Sequence, residues 1–113
     1  MQINKVEDSI KNLIDVFFDA GKISLELRNK GLIEHIKKDN TPVTNGDIEV
    51  NNIILSSLKK ITPDIPIVSE ETSDNKNLNL ETFWLVDPID GTYDYINNRD
   101  EFTLNAGLIT VSY

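Results

Sequence analysis

The stretch Trp84-Leu85-Val86-Asp87-Pro88-Ile89-Asp90-Gly91-Thr92 carries the reading of this chain. Phe83 to Val86 is short, apolar and rich in strand formers, so it reads as a buried strand. It runs directly into Asp87, Asp90, Gly91 and Thr92. Carboxylates that follow a buried strand are costly unless they are paired or bind a cation. Pro88 fixes the backbone between the two aspartates. Gly91 lets backbone approach a ligand closely, and Gly91-Thr92 can open a helix whose amides favour an anion. Upstream, Ile65-Pro66-Ile67-Val68-Ser69 reads as a second buried strand and delivers Glu70 and Glu71 in the same way. An oxygen-only set of this kind suits a hard cation such as magnesium, which usually meets a substrate phosphate. Two such ions about 3.5–4 Å apart can hold the attacking and leaving oxygens of a phosphoryl displacement. The residues therefore suggest magnesium-assisted phosphate ester hydrolysis. Asp87-Pro88 and Asp90-Gly91 equally suit an Asx turn, and Glu70-Glu71 a solvated face; residue types alone do not decide.

Two related motifs fail. An EF-hand loop needs acidic or amide residues at alternate positions before its glycine, and Ile89 and Gly91 occupy them here. The aspartyl-nucleophile phosphatases of the haloacid dehalogenase type use D-x-D-G-T, whereas two residues separate Asp87 from Asp90. A covalent aspartyl mechanism is discounted on that spacing.

Outward from this centre, Ile3, Val6, Ile10, Leu13, Ile14, Phe17 and Phe18 recur at steps of three and four. They predict a long amphipathic helix from Ile3 to about Leu27, its stripe packed on the core. Leu32 to Lys38 reads as a short strand with His35 partly exposed on it. Asp39 to Pro42 is a turn. Thr44 caps a second helix, with Asp47 in its first turn and Ile48, Ile54, Leu55, Leu58 and Ile61 at helical spacing, ending before Pro63. Thr72 to Asn79 is polar and reads as a surface loop. Phe102 to Val111 is a third strand pattern. It stops two residues before the last residue, which leaves an edge strand or one without its neighbour.

Composition bounds the class. The 113 residues make about one domain's worth of chain, 39% hydrophobic and 27% charged, as expected of a soluble globular protein. The net charge of −8 makes nucleic acid polymers and anionic membranes poor partners. A small phosphorylated ligand remains compatible, because a bound cation reverses the local sign. The absence of cysteine excludes disulfides, thiol catalysis and Cys-ligated metals, and one histidine leaves no His cluster. No apolar run approaches bilayer length, and the acidic N-terminal stretch is unlike a signal peptide, so a cytoplasmic protein is expected.

Together these motifs resemble the inositol monophosphatase-like superfamily of lithium-sensitive, magnesium-dependent phosphatases. Within it the likeness is to the bacterial 3'(2'),5'-bisphosphate nucleotidase branch of the CysQ type. Lys38 to Thr44 with Asp47 is similar to K-x-D-x-S-P-V-T-x-x-D, and Pro66 to Glu71 to P-[IV]-[LIV]-S-E-E. Trp84 to Thr92 is similar to W-L-V-D-P-[IL]-D-G-T, and Glu101 to Asn105 with Leu108-Ile109 to E-F-T-V-N…L-I. The resemblance implies an α/β layered sandwich, two N-terminal helices on a largely antiparallel sheet. Residues 1–113 would be the N-terminal portion of the phosphatase domain, its C-terminal half missing.

The resemblance also implies roles. Glu70, Asp87 and the carbonyl of Ile89 would bind a first Mg2+, Asp87 and Asp90 would share a second, and the complete family site holds two or three ions. Gly91 and Thr92 would present amides to the phosphate. Asp47 with Thr92, or Glu70 through a water, would orient the attacking hydroxide; Asp47 also suits a plain helix N-terminal acid. Glu71 could support the metal ligands or simply lie on the surface. The implied reaction is hydrolysis of a phosphate monoester by metal-activated water, with 3'-phosphoadenosine 5'-phosphate the expected substrate and inositol monophosphate the alternative. A non-catalytic fragment that binds metal or dimerises is the other alternative. The family domain is more than twice this long, and its W-D aspartate, a further metal ligand, has no counterpart here. The branch usually shows G-T-K-E-F where this chain has Gly91-Thr92-Tyr93-Asp94-Tyr95, and Gly46 stands where alanine is common, a minor departure on sequence grounds.

Overall fold

The computed structural model describes residues 3–71 and 81–110. The expected Thr72–Asn79 loop and the end of the last strand pattern, from Val111, lie outside them. Helix α1 spans Ile3–Lys30, as its periodicity predicts, and ends before Gly31. Strands β1 (Glu34–Ile36) and β2 (Pro42–Thr44) pair antiparallel across the turn that begins at Lys37. Asp39 shapes that turn by accepting from the Thr41 amide at 3.1 Å.

Helix α2 spans Asn45–Ile61 and begins with a full capping box. The Asp47 amide donates to Thr44 Oγ1 at 3.2 Å, and the Thr44 amide donates to Asp47 Oδ2 at 2.8 Å. Two amides that the helix cannot satisfy are thereby satisfied, and both residues are fully buried. Thr44→Ala should therefore lower stability by about 1–2 kcal/mol, at the upper end for a cap. Denaturant unfolding of the two proteins checks this; an unchanged midpoint would contradict it. The helix stops at Thr62, before Pro63.

The main sheet has the order β3-β4-β5, built from Ile67–Ser69, Thr82–Asp90 and Thr103–Thr110. β4 is central, with β3 parallel to it and β5 antiparallel. The fold class is thus α/β with antiparallel and mixed pairing, as the motifs imply. β3 is shorter than the apolar run from Ile65. β4 is longer than expected: it continues through Asp87, Pro88 and Ile89 to Asp90. A register irregularity between Asp87 and Asp90 accommodates Pro88, which cannot donate to a ladder. Helix α3 (Thr92–Ile96) follows, with Gly91 at its start in the left-handed region, φ 91°. A Cβ there would sit 2.8 Å from the Glu101 carbonyl oxygen, so glycine is required on both counts.

The core joins α2 (Val50, Ile54, Leu58) to β4 (Trp84, Val86, Ile89) and α3 (Tyr95). Only part of the α1 stripe reaches it. Leu13 and Ala20 are buried and Phe17 packs against the core, but Ile10, Ile14 and Phe18 are 52%, 62% and 70% exposed. The stripe is wider than the surface α2 and the sheet present to it. Among the described residues, β5 has no second neighbour, and no helix is long and apolar enough to cross a membrane.

Candidate functional site

The ends of β3 and β4 and the start of α3 meet at one open cavity of about 350 Å3. Glu70, Glu71, Asp87, Ile89, Asp90, Gly91 and Thr92 line it, joined by Lys37, Asp39 and Thr41 from the β1–β2 connection. The parallel pairing of β3 with β4 explains the convergence. Ser69 stands opposite Val86, so the residues that follow each partner lie at the same end of the β3–β4 pair. The Glu70 amide donates to the Val86 carbonyl at 3.1 Å and extends that register.

Each residue singled out from the sequence can be placed. Glu70, Asp87, Ile89 and Asp90 share the cavity. Asp87 and Asp90 lie within β4 rather than after it, where the register irregularity turns both towards one site. Asp47 does not line the cavity; it is buried behind Thr92. It has two partners at once. Oδ2 serves the capping box, while Oδ1 accepts from the Thr92 hydroxyl at 2.9 Å. The Thr92 hydroxyl also lies 3.3 Å from the Ile89 carbonyl, but it has one proton and the shorter contact to a carboxylate takes it. Asp47 is therefore both helix cap and support for Thr92.

Two residues carry more than the sequence showed. The Glu71 side chain is only 8% exposed and lies 3.7 Å from Lys37 Nζ, whereas Glu70 is exposed. Both acids lie beyond the end of β3 at Ser69, so strand alternation does not tell them apart. Lys37 contributes the cation that faces the acidic group.

The electrostatics favour a cation. Burial pushes the Asp87 carboxyl above its ordinary range, and the charges of Asp90, Glu70 and Asp47 push it further, against Lys37. Burial likewise raises Glu71, which Lys37 lowers and Asp47, Asp87 and Glu70 raise. In both groups the surroundings disfavour the charged form relative to a free carboxylate. Without a cation, their folded-state pKa exceeds the unfolded one, so their contribution is present at acid pH and lost as pH rises through the carboxylate range. Stability attributable to this pair should fall between about pH 4 and the raised values, and Mg2+ should restore it at neutral pH. Melting curves across that window, with and without Mg2+, check the sign; a Glu71→Gln variant should flatten the trend. Asp39 runs the other way: hydrogen bonds from Thr41 hold its carboxyl below the ordinary range.

The donor set fits a hard cation: carboxylates and a carbonyl, with neither sulfur nor imidazole. Among the described residues no group of three or more acidic or histidine side chains stands close enough together to hold a metal ion. Glu70, Asp87, Ile89 and Asp90, the residues expected to hold a cation, all line this cavity.

Comparison with known proteins shows the family of the chain. Residues 5–111 match the model of the inositol monophosphatase family. A 3'(2'),5'-bisphosphate nucleotidase CysQ of Buchnera aphidicola is 44% identical over 94 residues, covering 80% of this chain and 36% of that protein. The CysQ of Haemophilus influenzae is 31% identical over 106 residues, covering 91% and 39%. The chain thus spans 36% and 39% of the length of these two curated relatives. Among solved structures, the IMPase of Thermotoga maritima superposes with a TM-score of 0.79 at 23% identity, over 91% of this chain and 40% of that one. The extragenic suppressor protein suhB of Bartonella henselae gives 0.78 at 20% identity, over 89% and 40%. Sequence motifs, cavity and match over nearly the whole length converge: the chain belongs to the inositol monophosphatase family.

Proposed function

We propose that this chain is the N-terminal portion of a Mg2+-dependent phosphomonoesterase acting on a 3'(2'),5'-bisphosphate nucleotide such as 3'-phosphoadenosine 5'-phosphate. The observation that carries the reading is the meeting of Glu70, Asp87 and Asp90 at one cavity with Thr92, which is backed by the buried Asp47. The CysQ relatives favour the nucleotide over inositol monophosphate. A related IMPase/NADP phosphatase has been crystallised with Mg2+ and phosphate, which supports the choice of ion.

When bound, Mg2+ supplies positive charge to the phosphate oxygens and makes water more acidic. The chain's own residues do the rest. Glu70, Asp87, Asp90 and the Ile89 carbonyl would hold the cation. The amides of Gly91 and Thr92, at the start of α3, would serve the phosphate. Thr92 donates its hydroxyl proton to Asp47, so its oxygen is left to accept a hydrogen bond from the attacking water on the cavity side. Buried Asp47, fixed by the capping box, keeps Thr92 in that orientation. No side chain here is set up as a covalent nucleophile, so direct attack by water is the expected route.

The test is phosphate release from 3'-phosphoadenosine 5'-phosphate and from inositol 1-phosphate, with and without Mg2+, and with Li+ as inhibitor. Mg2+-dependent, Li+-sensitive release supports the reading, and the preferred substrate decides between nucleotide and inositol. A folded chain that releases phosphate from neither favours a second reading. In that reading the 113 residues alone are non-catalytic and self-associate through β5 and the exposed Ile10, Ile14 and Phe18 of α1. Sedimentation velocity distinguishes a dimer from a monomer.

A further inference from the structure

Tyr95 is fully buried at the junction of α3, α1 and the start of α2. Its hydroxyl donates to the Ser24 carbonyl of α1 at 2.6 Å. Its ring packs on Phe102 at 4.9 Å between centroids, and the Arg28 guanidinium lies over both rings at 5.7 and 5.3 Å. On the remaining side the ring meets Gly46. A Cβ on Gly46 would overlap the Tyr95 hydroxyl oxygen and lie 2.8 Å from two ring carbons. That atom is no mobile tip: hydrogen bond, aromatic contact and burial all fix it.

We propose that Tyr95 is a positioning residue for the Asp47–Thr92 pair, and that Gly46 is the socket that lets it act. The two ends of this contact sit beside the two members of that pair. Gly46 immediately precedes Asp47 in the first turn of α2, and Tyr95 lies one helical turn after Thr92 in α3. α3 has five residues and cannot hold its own position, since so short a helix is unstable without tertiary contacts. Tyr95 is its buried residue, so the depth to which Tyr95 seats against Gly46 sets how closely Thr92 approaches Asp47. The 2.9 Å hydrogen bond between them is the outcome. A methyl at position 46 would lift α3 from α2 and stretch that bond; removal of the Tyr95 hydroxyl would relieve the worst overlap and leave two ring carbons at 2.8 Å, to be cleared by a small shift of the ring.

The inference rests on the reading of Asp47 and Thr92 as a functional pair, but its test needs neither substrate nor metal. Gly46→Ala, Tyr95→Phe and the double variant are compared with the parent chain. Two readouts are taken: the unfolding equilibrium in denaturant, and the amide chemical shifts of Asp47, Gly91 and Thr92 in a 15N-labelled sample. Gly46→Ala should destabilise and move all three amides. The double variant should recover about tenfold or more in unfolding equilibrium constant over Gly46→Ala, a coupling typical of residues in contact. It should also return the Asp47 and Thr92 amides towards their parent positions. Additive effects overturn the proposal. So does recovery of stability without recovery of the shifts, since a purely structural contact would behave that way. If Gly46→Ala alone does not fold, a folded double variant with parent-like shifts supports the proposal, and an unfolded double variant beside a folded Tyr95→Phe overturns it. Loss of phosphate release with these shifts and couplings intact would count against the proposed reaction and not against the contact.

Discussion

Asp90→Asn is expected to leave the chain folded and to remove its response to Mg2+. Asp90 is exposed at the end of β4, on the far side of the register irregularity from Asp87. Exchange of an exposed carboxylate for its amide changes stability by no more than about 0.5 kcal/mol. Here the direction should be towards greater stability, because Asp90 is the foremost neighbouring charge that holds the Asp87 carboxyl above its ordinary range. The same substitution removes one of the anionic oxygens offered to a cation. Loss of residues that merely support metal ligands typically weakens binding by about 10–100-fold, and loss of a ligand should exceed that range. Calorimetric Mg2+ titration of parent and variant, with melting curves on the same samples, separates the two effects. Retained Mg2+ affinity in Asp90→Asn would remove Asp90 from the metal assignment, and retained Mg2+-dependent phosphate release would remove the assignment of the site. Loss of affinity together with loss of fold would show instead that Asp90 carries structure, against its exposure.

The reasons some features were legible in the sequence and others were not are physical. Both long helices were, because periodicity and capping are local: Thr44 and Asp47 are three residues apart, and their box is built from those residues alone. The convergence of Glu70 with Asp87 and Asp90 was suggested by acids following two apolar runs, and the parallel register of β3 and β4 brings it about. The course of β4 through Pro88 was not legible, because proline argues for a chain break unless an irregularity absorbs it. Residue type does not separate Glu71 as a supporting acid from Glu71 on the surface, because its neighbour Lys37 comes from a distant segment. The exposure of Ile10, Ile14 and Phe18 was also hidden: periodicity shows that a face is apolar and says nothing of how wide its partner is. Gly46 read as a minor departure, yet there is no room there for a Cβ, and the reason is a tyrosine on a different helix. Contacts between distant segments leave no periodic trace.

Trp84→Ala is expected to produce the largest loss of stability of any single change considered, about 3–5 kcal/mol. Trp84 sits at the middle of the core on the central strand, 3% exposed, opposite Ile67 on one side and Leu108 on the other. Its indole Nε1 donates to Thr62 Oγ1 at 2.9 Å, which ties β4 to the end of α2. Alanine would remove both the ring and that donor. The space left would merge with the apolar cavity of about 330 Å3 that Trp84 already lines with Ile10, Leu13, Ile14, Phe17 and Ala106. α1 cannot close over it without moving, since its Leu13 and Ala20 are already buried. Domains of this size are stable by about 5–15 kcal/mol, so a loss of 3–5 leaves a chain near the low end with about 0–2 kcal/mol, and at the extreme half unfolded. Trp84→Phe keeps most of the volume and loses the hydrogen bond, so it should cost clearly less; the difference between the variants isolates volume from bonding. Trp84 is the chain's sole tryptophan, so neither variant reports by tryptophan fluorescence and denaturant unfolding has to be followed by far-ultraviolet circular dichroism. A loss below about 1 kcal/mol in Trp84→Ala would mean that the core closes around the gap. Because Asp87 and Asp90 ride on the same strand, apparent Mg2+ affinity should fall in proportion to the fraction folded. A fall in affinity without unfolding would show that Trp84 holds β4 in the register the site requires.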